Sequence, residues 1–291
     1  MDDPRAIFDL SGRVAVVTGA SSGLGVTFAE ALAAAGASVA VAARRRERIE
    51  EVAARINDGG GRAIAVECDV TDPDSTEALM ATTVEQFGGV DIVVANAGVV
   101  AEGAAVTEKV PLALFEQTVA VNLAGTFNTC QAASRRMLAG GGGVMITLAS
   151  IAGLGAHFEI PVAYGAAKAA IINMTQHMAL RWGSRGVRVN CLAPGWFPSE
   201  MTDFVLEMPI FKQRLVDQTA LGRVGDPEEL VGPLLLLASD AGSYMTGSTL
   251  VVDGGTSASL GEAPPSAELV ELFAGALPDG LGVPIMPGAD G

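Results

Sequence analysis

The sequence is poor in several residue types, and each shortage excludes a class of protein. Aromatic residues make up 5% of the 291 residues, and the chain has two histidines and three cysteines. Cys68, Cys130 and Cys191 are far apart, whereas disulfide frameworks use even numbers of cysteines and zinc ligands come in close pairs. We therefore expect free thiols, no metal site and a reducing, cytoplasmic location.

Positive charge and long apolar runs are also scarce. The chain has 18 Lys and Arg against 33 Asp and Glu, which gives a net charge of −15. Its one basic cluster, Arg44-Arg45-Arg46 with Arg48, is too small for the basic face that nucleic acid requires. The acidic N-terminus lacks the apolar run of a signal peptide, and residues 234–238 are too few to span a bilayer. We expect a soluble protein with neither nucleic acid nor a membrane as partner.

Apolar residues, in contrast, make up 49% of the chain, which is enough for a sizeable core. Short β-branched runs predict strands at residues 13–18, 38–43, 62–66, 90–94, 143–148, 187–192 and 248–252. The patterns between them predict helices at residues 26–35, 47–56, 74–86, 112–138, 162–182 and 227–238. Apolar strands separated by helices are typical of a parallel sheet covered on both faces. We predict a single α/β domain over residues 1–256, with a doubly wound, Rossmann-type sheet.

The C-terminal segment, residues 257–291, differs from the rest of the chain. It has five prolines and no Lys or Arg, although Leu269, Leu272 and Phe273 fall on one apolar helical pattern. Proline-rich chain ends are usually mobile, so one interpretation is a loosely docked tail. The alternative is an arm that packs over the active-site rim or onto a partner subunit.

A glycine-rich segment, TGASSGLG at residues 18–25, lies between the first predicted strand and the first predicted helix. Glycines there let backbone N–H groups approach a phosphate, and a helix N-terminus favours the negative charge. The segment also matches G-x-S-x-G, the nucleophile elbow of α/β hydrolases, with Ser21 as nucleophile. That alternative needs a later histidine and preceding strands for an oxyanion loop, which a first strand lacks. We favour phosphate binding.

The end of the second predicted strand indicates which dinucleotide would bind. NAD-binding sites place Asp or Glu here to hold the ribose 2′-hydroxyl. This chain instead has Ala43 followed by Arg44, Arg45 and Arg46, and arginine can bind the 2′-phosphate that a carboxylate would repel. Arginines at a helix N-terminus are electrostatically unfavourable, which favours a functional reason over a solvated helix start. We predict NADP(H), with NAD(H) as the weaker alternative.

Four polar residues are candidates for catalysis. Tyr164 and Lys168 are four residues apart and would share one face of a helix. A free tyrosine titrates near pH ~10, and a nearby ammonium would lower its pKa towards the range of a proton relay. Ser150 ends a strand at the edge where open α/β sheets bind ligands. Asn122 stands in an apolar helix, either as a satisfied core residue or as part of the site.

Taken in order, these segments resemble the short-chain dehydrogenase/reductase superfamily over residues 10–256. The matching motifs are TGASSGLG at residues 18–25, Cys68-Asp69-Val70, Asn96-Ala97-Gly98, Asn122, Ser150, Tyr164 with Lys168, and NCLAPG at residues 190–195. The resemblance implies that Tyr164 is the general acid/base and that Lys168 lowers its pKa and binds the nicotinamide ribose. It also implies that Ser150 polarises the substrate carbonyl and that Asn122 holds a relay water.

The predicted cofactor contacts follow from the glycine segment, the arginines and this resemblance. They are Gly19, Ser21, Ser22, Gly23, Leu24, Gly25, Arg44, Arg45, Asp69, Val70, Asn96, Ala97, Gly98, Tyr164, Lys168, Pro194, Gly195, Phe197 and Ser199. The family implies that Asp69 and Val70 bracket the adenine, and that Phe197 and Ser199 meet the nicotinamide carboxamide. The sequence departs from the family pattern at Ala95, where a second asparagine is usual.

We therefore expect an NADP(H)-dependent oxidoreductase that interconverts a hydrophobic ketone and a secondary alcohol. By resemblance, the pocket would use Val99, Ile151, Leu154, Phe158, Ile160, Trp196, Phe197, Phe204, Val205 and Met208. One alternative is a 3-oxoacyl chain on an acyl carrier protein, which is acidic and would need Arg181 and Arg185 as a local dock. Another alternative is a scaffold protein that responds to NADP(H) and has lost enzymatic turnover. The family also implies a homotetramer or homodimer through the last helix and strand.

Overall fold

The computed structural model describes residues 3–258, except 104–106 and 157–159, and leaves out the side chains of Phe204 and Val205. The predictions for the C-terminal segment therefore fall almost entirely outside the described residues. Phe158, one of the predicted pocket residues, also falls outside them.

Seven strands form one parallel sheet, as the sequence predicted. They are β1 (Val14–Thr18), β2 (Ser38–Ala43), β3 (Arg62–Glu67), β4 (Ile92–Ala95), β5 (Gly143–Leu148), β6 (Val187–Pro194) and β7 (Thr249–Val252). Their spatial order is β3-β2-β1-β4-β5-β6-β7, with every neighbouring pair parallel. This is the order of a doubly wound Rossmann sheet, so the predicted fold class is confirmed.

The helices agree with the prediction except in three places. They are α1 (Leu24–Ala34), α2 (Arg46–Asp58), α3 (Pro73–Phe87), α4 (Leu112–Val119), α5 (Gly125–Gly140), α6 (Val162–Trp182), α7 (Asp203–Leu206), α8 (Pro209–Asp217) and α9 (Val231–Ala238). The predicted helix 112–138 is wrong as a continuous α-helix, because a π-helical turn, Ala120–Ala124, separates α4 from α5. The predicted helix 227–238 begins as a 3-10 turn, Pro227–Leu230. The sequence analysis did not predict α7 and α8.

Helices cover both faces of the sheet because successive strand residues point to opposite sides. Val17 packs in a cluster with side chains of α1, α2 and α9. Its neighbour Val16 packs in a second cluster with side chains of α3, α5 and α6. Both valines are fully buried, which explains the unbroken apolar runs in the sequence. Within the described residues, no helix combines the length and apolarity needed to cross a membrane.

The strand order reverses at β1, which lies between β2 and β4. At such a reversal the loops leaving neighbouring strands diverge and open a crevice beyond the carboxyl ends. The glycine-rich segment leaves β1 here, and Asn96 follows β4. The topology therefore places the predicted phosphate loop at the ligand-binding edge of the sheet.

Candidate active site

The glycine segment makes a tight turn from β1 into α1. Gly19 and Gly23 have φ values of +67° and +54°, in the region that side chains rarely adopt. A Cβ on Gly19 would lie 2.7 Å from Ala97 Cα, and one on Gly25 would overlap the Gly19 carbonyl oxygen. Larger residues at these two positions would collide with the segment after β4 or with the turn itself, so the glycines let the turn pack tightly at the helix N-terminus, which is where a phosphate would bind.

Asn96 holds this turn against the end of β4. Its Nδ2 donates to the carbonyl oxygens of Thr18, at 2.9 Å, and Gly19, at 3.3 Å. In return, Thr18 Oγ1 accepts the backbone N–H groups of Asn96 and Ala97, at 3.2 and 3.3 Å. Ala95, where the family usually has a second asparagine, is buried in the core. One asparagine therefore supplies the side-chain donor that braces the loop.

The arginines after β2 reach the same groove. Arg45 donates from Nε and Nη2 to Ser21 Oγ, at 3.1 and 2.9 Å, and from Nη2 to Ser22 Oγ, at 2.7 Å. Its Nη1 donates to Glu200 Oε2 at 2.9 Å, and Arg48 also pairs with Glu200. Hydrogen bonds from Arg45 and Arg48 lower the pKa of Glu200 to about 2. The sequence analysis missed Glu200, because its partners are more than 150 residues away in the chain.

Asp69 lies near Arg44, on the side of the groove where the adenine was predicted. The Asp69 carboxylate accepts the Thr71 backbone N–H at 3.0 Å and the Thr71 hydroxyl at 2.8 Å. These bonds, the backbone one first, and the charge of Arg44 lower the pKa of Asp69. Asp69 is therefore ionised and fixed in orientation.

Tyr164 and Lys168 share one face of α6, as the spacing predicted. The Lys168 Nζ lies 5.3 Å from the centroid of the Tyr164 ring. Lys168 is 4% exposed and its Nζ donates to the Leu148 carbonyl oxygen, at the end of β5, at 2.7 Å. Ser150 follows two residues after β5, and its Oγ accepts the Ala152 N–H at 3.2 Å. The sheet edge and the helix thus bring a hydroxyl, a phenol and an amine together.

Burial dominates the electrostatics of this group. Burial raises the pKa of Tyr164 to about 12, although a hydrogen bond from Ser150 acts in the opposite direction. Burial also lowers the pKa of Lys168 to about 8. Desolvation is the largest cause of the raised pKa of Tyr164, and the lowering of this pKa by Lys168 stays a prediction. With a pKa of about 12, Tyr164 is protonated at neutral pH.

Asn122 lies in the π-helical turn that packs against α6. It is fully buried, and its Nδ2 donates to the carbonyl oxygens of Val99, at 2.7 Å, and Thr118, at 2.8 Å. Its Oδ1 has no hydrogen-bond partner among the described residues, and it faces Gly98, where a Cβ would lie 2.7 Å from it. Asn122 therefore joins the π turn to the segment after β4, which forms one wall of the groove.

A groove of about 680 Å³ runs along the carboxyl edge of the sheet. All of the predicted cofactor-binding residues line it, as do Ser150, Tyr164 and Lys168, whereas Asn122 lies behind the wall. The lining residues that were not named as site residues from the sequence are Ala43, Cys68, Val100, Gly103, Val121, Leu148, Ala149, Glu200, Met201 and Thr202. Several of these residues are sequence neighbours of predicted site residues. A prediction that included one residue on each side of every motif would have included them.

The predicted apolar pocket is confirmed only in part. Val99 and Phe197 line the groove. Ile151 is buried, Leu154 and Met208 are exposed, and Trp196 lines a separate cavity of about 90 Å³. Ile151, Leu154, Trp196 and Met208 therefore lie outside the lining of the groove.

The hydrolase alternative finds no support around Ser21. Its Oγ accepts hydrogen bonds from the Arg45 guanidinium, whereas a nucleophilic serine donates its proton to a base. Among the described residues, no hydrogen bond joins Ser21 to a histidine, and His177 is exposed on α6. In that same part of the chain, no cluster of three or more His, Cys, Asp or Glu side chains is arranged to hold a metal ion.

The residues of the groove fit a dinucleotide. Gly19 and Gly25 let the turn pack closely, the helix N-terminus suits a pyrophosphate, and the groove lining includes Arg44 after β2 and Tyr164 on α6. A volume of several hundred Å³ is also in the range of ligand sites. The fold and this groove define a Rossmann-type oxidoreductase.

Comparisons with known proteins lead to the same class. A family model described as enoyl-(acyl carrier protein) reductase matches residues 19–257. The chain is 38% identical over 248 residues to D-threitol dehydrogenase of Mycolicibacterium smegmatis, covering 85% of this chain and 94% of that protein. It is 38% identical over 248 residues to 3-oxoacyl-[acyl-carrier-protein] reductase of Synechocystis, covering 84% and 97%.

A solved structure agrees over the same region. Gluconate 5-dehydrogenase from Burkholderia cenocepacia, in complex with NADP and tartrate, is 34% identical with a TM-score of 0.83, covering 87% of this chain and 98% of that one. The chain belongs to the short-chain dehydrogenase/reductase superfamily. It is an oxidoreductase of the type whose named members are dehydrogenases acting on CH–OH groups.

Proposed function

We propose that the protein is an NADP(H)-dependent oxidoreductase that interconverts a hydrophobic ketone and the corresponding secondary alcohol. The observation that carries this proposal is the shared groove, which is lined by Ser150, Tyr164 and Lys168 and by Arg44 and Arg45. The arginines follow β2 and Ser150 follows β5, with β1 and β4 between these two strands. Arginines in place of an acidic residue after β2 favour a 2′-phosphate over a free 2′-hydroxyl. The NADP in the related gluconate 5-dehydrogenase structure supports a nicotinamide cofactor.

The chemistry is then divided among the groove residues. When bound, a nicotinamide cofactor supplies or takes up the hydride. Tyr164 donates its phenolic proton to the carbonyl oxygen in reduction and accepts it from the alcohol in oxidation. The Ser150 hydroxyl donates a hydrogen bond to the same oxygen. Lys168 uses one N–H on Leu148, which leaves two donors for the cofactor ribose and for Tyr164.

The apolar side chains beside Ser150 support a hydrophobic substrate. Val99, Val100 and Phe197 line the groove, and such walls bind apolar ligand groups while a few polar groups fix their orientation. The relatives named for polyol substrates make a polyhydroxylated alcohol the chief competitor. A panel that includes both kinds of alcohol separates them.

A 3-oxoacyl chain on a carrier protein is the second candidate, favoured by the name of the Synechocystis relative. The net charge of −15 opposes an acidic partner. Arg181 and Arg185, the arginines considered for a local dock, lie at the end of α6 remote from Tyr164. At the rise of an α-helix, Arg181 is about 25 Å along the axis from that tyrosine.

We also propose that the protein is a homodimer or homotetramer that associates through α9 and β7. β7 is the edge strand of the sheet, and its Val251 is exposed. Tyr244, between these two elements, is fully exposed. Exposed edge strands and apolar side chains favour pairing with a second copy.

The test is an assay of cofactor oxidation with NADPH and NADH side by side on a panel of ketones. Tyr164→Phe should lower turnover by about 10²-fold or more, the loss expected for one positioned acid/base, with cofactor binding kept. The chain has two tyrosines, and Tyr244 lies outside the groove lining. Tyr244→Phe keeps the ring that the proposed subunit contact would use and is therefore the matched control for loss of a phenolic hydroxyl. Near-normal turnover of Tyr164→Phe would contradict the role of the phenol, and a preference for NADH would contradict the role of the arginines.

A further inference from the structure

Every nitrogen of the Arg45 guanidinium is already engaged by the protein itself. Nε and Nη2 donate to the hydroxyls of Ser21 and Ser22, and Nη1 donates to Glu200 at 2.9 Å. Arg45 is one of the residues proposed to bind a 2′-phosphate, yet its Nη1 already forms an ion pair with the carboxylate of Glu200. A phosphate that binds Arg45 must displace at least one of these partners.

The Glu200 carboxylate would compete with a phosphate for the Arg45 guanidinium. It pairs with Arg45 and Arg48 at once, and its pKa of about 2 keeps it ionised at every pH at which the protein would work. Its side chain is about half exposed, so water screens the pairs and each of them is weak. A phosphate dianion can therefore displace the carboxylate, but only at a cost in affinity.

The residues around Glu200 lie against the phosphate loop. A Cβ on Gly23 would lie 3.1 Å from Ser199 Cβ, so the segment after β6 closely approaches the glycine turn. Within that segment, Thr202 Oγ1 donates to the Phe197 carbonyl oxygen at 2.7 Å. The ion pairs of Glu200 thus join this segment, which lines the groove near the catalytic residues, to the start of α2.

We propose that Glu200, which Arg48 also holds by an ion pair, is a specificity-determining residue that competes with the 2′-phosphate of the cofactor for Arg45. The inference rests on the proposed assignment of this end of the groove to the 2′-phosphate. Its consequence is that Glu200 weakens binding of a 2′-phosphorylated ligand and leaves binding of a ligand without that phosphate unchanged. Glu200 thereby reduces the difference in affinity between NADP(H) and NAD(H) that the arginines would otherwise give.

Isothermal titration calorimetry with two cofactor fragments tests this without turnover. The full chain, its Glu200→Gln variant and a control are titrated with adenosine 2′,5′-bisphosphate and with adenosine 5′-monophosphate. Glu50→Gln is the matched control, because Glu50 pairs with Arg46 at 2.8 Å on the exposed side of α2, outside the groove lining. Because the Glu200 side chain is half exposed, its substitution should leave the thermal midpoint close to that of the wild type.

Glu200→Gln should bind the bisphosphate about three- to tenfold more tightly than the wild type, the range expected from removing a competing exposed ion-pair network. Binding of the monophosphate should not change, and Glu50→Gln should bind both fragments like the wild type. The gain should shrink as salt is added, because screening weakens exposed pairs.

An unchanged or weaker affinity of Glu200→Gln for the bisphosphate would overturn the inference, since Glu200 would then be irrelevant or would orient Arg45. The proposed NADP(H) preference is judged separately, by whether the wild type binds the bisphosphate more tightly than the monophosphate. If the wild type shows no such preference but Glu200→Gln acquires one, the competition is supported and the NADP(H) assignment fails.

Discussion

Asn96 offers the sharpest test of how the phosphate loop is held. Asn96→Ala removes the two side-chain donations to the carbonyl oxygens of Thr18 and Gly19. The Thr18 residue is 1% exposed, so water cannot fully replace the lost donor. Leaving a buried carbonyl unsatisfied costs about 1–3 kcal/mol, and we expect the free energy of unfolding to fall by about 2 kcal/mol.

For 291 residues, with an unfolding entropy of about 2.1 cal/mol/K per residue, a loss of about 2 kcal/mol corresponds to a thermal midpoint lower by roughly 3–4 °C. Differential scanning calorimetry measures that shift. The affinity for NADP+ should fall as well, by about five- to tenfold, because the loop must be ordered again on binding at a cost of about 1 kcal/mol. Asn96→Asp should be worse, since a carboxylate cannot donate and would face two carbonyl oxygens.

Asn57→Ala is the matched control for this prediction. Asn57 also makes two hydrogen bonds to backbone, donating to the Ala63 carbonyl oxygen at 3.1 Å and accepting its N–H at 2.7 Å. Asn57 lies in the last turn of α2 and bonds to β3, outside the groove lining, so its loss should lower stability without changing cofactor affinity. The reasoning is refuted if Asn96→Ala keeps the wild-type midpoint and affinity, or if both variants lose affinity in proportion to their loss of stability.

Two further predictions concern pH and assembly. The pKa of Tyr164 is raised to about 12, and alcohol oxidation needs the phenolate. The rate of oxidation should therefore rise about tenfold per pH unit between pH ~6 and ~8. This slope should fall near pH 8, where Lys168, with a pKa of about 8, loses its charge. Initial rates across this range measure the effect, and a flat profile would contradict it. Carboxylates such as Asp226 and Asp253 lie around the proposed α9–β7 contact, so association should tighten from low to physiological salt as their repulsion is screened. Light scattering at two salt concentrations checks this, and a monomer at both, or an oligomer that dissociates on adding salt, would be against it.

The sheet and the position of the site were predictable from the sequence for a simple physical reason. Strands buried on both faces are apolar at every position, and parallel strands bring their carboxyl ends to one edge. The residues that follow those ends, such as Gly19, Asn96 and Ser150, therefore had to approach one another. Side-chain periodicity also placed Tyr164 and Lys168 on one face of α6.

The features that the sequence did not predict depend on contacts between distant residues. The π turn at Asn122 lies within a continuous apolar pattern, and its side chain bonds to Val99 in another segment. Glu200 meets Arg45 across 155 residues, a separation that no local spacing reveals. The raised pKa of Tyr164 comes from burial, which is set by the folded chain as a whole and not by the local spacing of Tyr164 and Lys168.

The position of Tyr164 on α6 is fixed by contacts on both sides of this residue. On the N-terminal side, the backbone N–H of Ala163 donates to Glu102 Oε1 at 3.0 Å. Glu102 is 4% exposed and belongs to the segment after β4 that forms the groove wall. On the other side, Lys168 is bound to Leu148 at the end of β5, the strand that leads to Ser150. A rotation of α6 would break both contacts and leave buried polar groups unpaired, which is costly. These two contacts hold the Tyr164 phenol at the groove. Its raised pKa keeps it protonated, which is the state that a proton donor in carbonyl reduction requires.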